Sequence, residues 1–173
     1  MDRYARQRLV ASVAAEFQVT ADTTYQELAR QLGAVWTNRA QRRVAIRFTR
    51  LPHSHITGAT ALLADGSYLV ICAASPRWYF RLQVLLHEFA HDLLGHEHIT
   101  LDRGAGLQLL VPTLLPKMAR FVAGRTTFTA AEEDEAETVA DELFAVLTED
   151  RVVSESTASG LENLRRLRET LEH

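Results

Sequence analysis

The stretch His87-Glu88-Phe89-Ala90-His91 reads H-E-x-x-H. On a helix, residues four apart share a face, so His87 and His91 can offer imidazole nitrogens to one metal ion. Glu88, beside His87, is placed to take a proton from water activated by that ion, the chemistry of a zinc peptidase. A catalytic zinc takes three protein ligands and keeps one position open. The third must come from elsewhere: His96, the loop histidines His53 and His55, or a carboxylate from a later helix.

The segment carrying the motif should itself be a helix. Ser75 followed by Pro76 is a start signal and Gly95 a stop, a span of about 19 residues. Phe80, Val84, His87, His91 and Leu94 fall on one stripe, so the metal face continues an apolar face. Downstream, Thr129-Ala130-Ala131-Glu132 is a capping box, with Phe128 placed as a hydrophobic staple. The helix it opens has Ala136, Ala140, Leu143, Phe144 and Leu147 on its apolar side. Glu133 and Glu137 share that stripe, and a carboxylate directed at a core needs a partner. A zinc ion supplies one.

Other elements must hold these two helices. Leu9, Val13 and Phe17 mark an amphipathic helix over residues 3–18. Thr24 with Glu27 fits a capping box for a second helix, which buries Leu28, Leu32 and Val35. Val44 to Thr49 alternates as a strand does. Residues 59–63 and 68–73 form a hairpin turned at Asp65-Gly66. Its second arm is nearly all apolar and reads as buried on both faces. As an edge strand, that arm would bind an extended substrate by β-augmentation. Residues 97–127 carry Gly104, Gly106, Pro112 and Pro116 and give no clear element beyond a short helix over 117–123. Leu161, Leu164, Leu167 and Leu171 mark a C-terminal helix, and the final Leu-Glu-His resembles a purification-tag remnant, which removes His173 from consideration.

The 173 residues are enough for one α+β domain with a real core. Residues 1–43 would be its helical part, 44–150 its site-bearing core and 151–173 its last helix. An apolar fraction of 47% and the absence of a long apolar run or leader point to a cytoplasmic protein without a membrane segment. The lone Cys72 rules out an internal disulfide and reads as a small core residue. Nine arginines stand against four carboxylates over residues 1–50, an excess of +5 that leaves −8 on the rest. No aromatic residues interleave with those arginines, so nucleic-acid binding is the weaker reading of this asymmetry.

The run His-Glu-Phe-Ala-His-Asp-Leu-Leu-Gly-His, preceded by an apolar hairpin and followed by Glu-Asp-Glu-Ala-Glu-Thr-Val-Ala, resembles the ImmA/IrrE metallopeptidase family over residues 44–147. The resemblance implies a small gluzincin-like, or zincin-like, domain with a short sheet beside two site-bearing helices. The family's second motif, roughly E-x-x-A-D/N-x-x-A, falls on Glu133, Ala136, Glu137 and Ala140, with Glu137 standing where Asp or Asn is usual. Its first glutamate is the metal ligand. Glu133 then completes the set with His87 and His91, and Glu137 orients a ligand histidine. A second register, starting at Glu137 with Ala140 and Asp141, makes Glu137 the ligand instead. The implied activity is zinc-dependent endoproteolysis with Glu88 as the base and Tyr68, Tyr79, His53 or His55 as oxyanion donor. Its substrate would be a regulatory protein such as a helix-turn-helix repressor in a stress response. The alternative is a non-catalytic, zinc-containing partner-binding protein, such as half of a toxin–antitoxin pair.

Overall fold

A computed structural model describes residues 1–50, 57–63, 65–101 and 128–149. Helix α1 (Arg3–Ala14) starts at Asp2, whose carboxylate accepts from the Ala5 amide, and stops four residues short of the expected end. Helix α2 (Tyr25–Ala40) is capped by Thr24, which accepts from the Glu27 amide at 3.1 Å. Only half of the expected capping box forms there, because the Glu27 carboxylate turns outward to Arg30.

Strands β1 (Val44–Thr49), β2 (Gly58–Leu63) and β3 (Tyr68–Ala73) follow the sequence pattern closely, and a three-residue strand β4 (Ile99–Leu101) joins them. The strand order is β1-β3-β2-β4, with β3 parallel to β1 and antiparallel to β2, and β4 parallel to β2. The hairpin turn is held by Asp65, whose Oδ1 accepts from the Ser67 amide and hydroxyl, and by Gly66 at φ +80°. That positive φ is one that glycine adopts without steric cost. Since β3 is paired on both sides, its backbone groups are spent on β1 and β2. The expected β-augmentation along Tyr68–Ala73 is therefore excluded; the apolar run marks a central strand, not an edge.

Helix α3 (Trp78–Leu93) begins three residues after the Ser75-Pro76 signal. Ser75 Oγ accepts from the nearby Arg77 amide, closing a local turn instead of capping the helix. Helix α4 spans residues 130–149 and opens with a complete capping box: Thr129 Oγ1 accepts from the Glu132 amide, and Glu132 Oε2 accepts from the Thr129 amide at 2.7 Å.

All four helices and the inward side of the sheet share one buried cluster, which includes Val13, Leu32, Trp36, Val70, Leu85, Phe89, Leu143 and Leu147. The alternation of β3 sends Tyr68, Val70 and Cys72 into it, while Leu69 and Ile71 join Ala61 on the opposite face. The fold is thus α+β, with Cys72 buried as a small core residue. No helix of the described residues is long and apolar enough to cross a membrane. The Arg-rich N-terminal part is largely engaged: Arg6 bonds Glu142, Arg39 bonds Glu16, and Arg42 lies over the Tyr68 ring. His53, His55, residues 102–127 and the expected C-terminal helix lie outside the described residues.

Candidate metal centre

The site forms where the last turns of α3 face the first turn of α4. His87 Nε2 and His91 Nε2 are 3.2 Å apart, as the i, i+4 spacing requires. Glu133 Oε2 lies 3.3 Å from His87 Nε2 and 3.7 Å from His91 Nε2. Three donor atoms thus converge, and the group could hold a metal ion. His91 is buried, with a side chain 1% exposed, while that of Glu133 is 43% exposed, so the triangle opens toward solvent on the α4 side. Burial, with the neighbouring histidines, lowers the His91 pKa to about 3, so its ring is neutral and its lone pair available.

Glu137, the alternative ligand or orienting residue, is exposed and stands outside this group. The buried residues of α4 are Ala136, Val139, Ala140, Leu143 and Leu147, and Glu137 is one residue, roughly 100°, round from Ala136. The expectation that both glutamates share the core stripe is corrected: Glu133 borders it, and Glu137 leaves it. Asp141, which the second register needs, is also exposed.

Glu88 is buried against β2. Its Oε2 accepts from Thr60 Oγ1 at 2.8 Å. Gly58, two residues earlier on the same face, gives the carboxylate its room: a Cβ there would lie 2.7 Å from Glu88 Oε1 and 2.8 Å from Val84 Cγ1. Burial raises the Glu88 pKa to about 7; the Thr60 hydrogen bond opposes that rise and the Glu133 charge adds to it. Neither Thr60 nor Gly58 stands out in the sequence, although the Gly-x-Thr spacing does place both on one face of a strand.

Behind the triangle is a second polar cluster. Asp92 Oδ2 accepts from the Trp36 indole N–H at 2.9 Å. Asp92 Oδ1 faces His98 Nε2 at 3.5 Å, close enough for an ion pair yet not aligned as a hydrogen bond. The Tyr68 hydroxyl also interacts with this carboxylate. Burial alone would raise the Asp92 pKa, but interactions with His98, Tyr68 and Trp36 outweigh it and hold the group below the usual range. Tyr68 is thus committed to Asp92 on the helix-facing side of the sheet. Tyr79 sits at the other end of α3 against the Tyr25 ring, 6.4 Å between centroids.

Phe128, expected only as a staple, stacks on the His91 ring with centroids 3.8 Å apart. His96 also closes on that ring, its Nδ1 being 2.8 Å from His91 Nδ1. No family model, curated protein or solved structure matches this chain.

Proposed function

We propose that the protein is a zinc-dependent endopeptidase of zincin-like fold, with His87, His91 and Glu133 as metal ligands and Glu88 as the general base. The observation that carries the reading is the donor triangle with a buried carboxylate beside it. Tetrahedral N and O donors about 2.0–2.1 Å from zinc stand roughly 3.3–3.4 Å from one another. Separations of 3.2, 3.3 and 3.7 Å fit that spacing without rearrangement. Two imidazoles and one carboxylate are also the donor set of a catalytic zinc with one position left open.

When bound there, zinc would supply Lewis acidity, acidifying water and polarising a peptide carbonyl. Glu88 supplies the proton traffic. Thr60 occupies Oε2, which leaves Oε1, uncovered by the missing side chain of Gly58, to take a proton from the attacking water. A pKa near 7 lets the same group return that proton to the leaving amine at neutral pH. Phe128 covers one face of His91 and excludes water from that side of the ring.

The ImmA/IrrE resemblance of the two motifs supports a protein substrate, with a helix-turn-helix repressor the class to test first. Wild type and Glu88→Gln should both bind one zinc, and only wild type should cleave a peptide library or the repressor. One zinc with no cleavage of any library by wild type would favour the non-catalytic partner-binding alternative. A folded wild type without metal affinity would overturn the site.

A further inference from the structure

The end of α3 has a consequence for the metal ligand that the H-E-x-x-H motif does not contain. The helix closes with Gly95 at φ +74°, the Gly95 amide bonding the Asp92 carbonyl and the His96 amide bonding the His91 carbonyl. These two bonds define a Schellman motif, in which the residue after the glycine folds back over the residue five positions earlier. An apolar pair commonly occupies those positions. Here they are His96 and His91, with ring centroids 5.1 Å apart.

We propose that His96 is a positioning residue that fixes the tautomer of His91, an inference that rests on the zinc reading above. His91 Nε2 faces His87 and Glu133, so a ligating ring must carry its proton on Nδ1. The atom 2.8 Å from that Nδ1 is His96 Nδ1, which must then accept. The proton of His96 then lies on Nε2, and that nitrogen faces Glu135 Oε2 at 4.0 Å, beyond hydrogen-bond reach but with a carboxylate on the side where the N–H dipole points. The order is therefore Glu135, His96 Nε2–H, His96 Nδ1, His91 Nδ1–H, with His91 Nε2 left bare for the ion. The His96 side chain is only 7% exposed, and Phe128 packs against both rings, so solvent has little room to replace it as acceptor. Carboxylates or backbone carbonyls usually receive this proton. An imidazole performs the same task here without placing another carboxylate beside Glu88 and Glu133.

The test compares wild type with His96→Leu, which removes the acceptor, and His96→Asn, whose Oδ1 restores one near the Nδ1 position. Zinc affinity is measured by competition with a chromophoric chelator, and the tautomer of His91 by 15N-resolved NMR of the zinc-loaded protein. His96→Leu should lose roughly 10–100-fold in zinc affinity, the usual effect of removing an outer partner. His96→Asn should recover most of that loss, and the His91 Nδ1–H signal should be present in wild type and His96→Asn. If His96→Leu does not fold by circular dichroism, His96→Phe takes its place, keeping the ring packing without an acceptor. Wild-type affinity in the variant lacking an acceptor would overturn the inference, as would equal losses in that variant and His96→Asn. A wild-type spectrum with His96 itself bound to zinc would also overturn it. A wild type that binds no zinc would fail earlier, removing the metal reading and this inference together.

Discussion

Two clusters of histidine and carboxylate flank the end of α3, and they are made from the same residue types for opposite purposes. In the first, His87, His91 and Glu133 direct lone pairs at a common point. In the second, Asp92 faces groups that can donate: the Trp36 indole, the Tyr68 hydroxyl and the His98 ring. Converging acceptors need a cation among them, either a proton or a metal ion. An acceptor ringed by donors is already satisfied. The difference shows that residue type alone does not mark a group that could hold a metal ion; convergence of the donor atoms does.

The contrast breaks most directly at Glu133. Glu133→Ala should reduce zinc affinity by more than the roughly 10–100-fold of an outer-partner change. Glu137→Ala, on the exposed face, should leave it unchanged in the same chelator competition. Equal losses would show that the triangle is not the binding unit. In the second cluster, Asp92→Ala strands the Trp36 N–H and Tyr68 hydroxyl, so stability should fall by roughly 2–4 kcal/mol in urea unfolding. The zinc-induced rise in melting temperature should survive, because the three donors remain. Gly58→Ala should cost about 1–3 kcal/mol through its approach to Glu88 and Val84, and should depress peptide cleavage more than zinc content.

The last effect expected is on pH dependence. The folded-state pKa of Glu88 is raised from 4.5 to about 7, so its contribution is fully present below pH 4.5 and lost as pH rises through about 7. Metal-free wild type should lose up to about 3 kcal/mol relative to Glu88→Gln across that window. Urea midpoints at pH 4.5 and 8 measure the difference, and parallel behaviour of the two proteins would refute it.

Much of this arrangement was legible because local chemistry and global fold agree. The Thr24 and Thr129 caps, the Asp65-Gly66 turn and the strands at Val44 and Tyr68 each have a mechanism confined to a few neighbouring residues. The two histidines and Glu88 were legible for the same reason. What escaped depends on distant packing. Strand order is not written in the apolar run of β3, so its central place, and the loss of β-augmentation there, came only with the sheet. Glu133 and Glu137 differ by roughly 40° round the helix, about a ninth of a turn, too little for the apolar pattern to tell border from exterior. Thr60 and Gly58 carry no motif, Phe128 carries only that of a staple, and their roles at the site arise from what the other chain segments bring to them.

An ion in the triangle would also act on the chain as a cross-link. It would join His91 to Glu133, tying together positions 42 residues apart. For a covalent tie of that span, the loss of loop freedom in the unfolded chain is worth about 4 kcal/mol on the chain-entropy estimate. Helix α4 is anchored further along by Ala140, Leu143 and Leu147, so only its first turn depends on the clasp. Chelation would therefore loosen the mouth of the site while the core behind it stays closed.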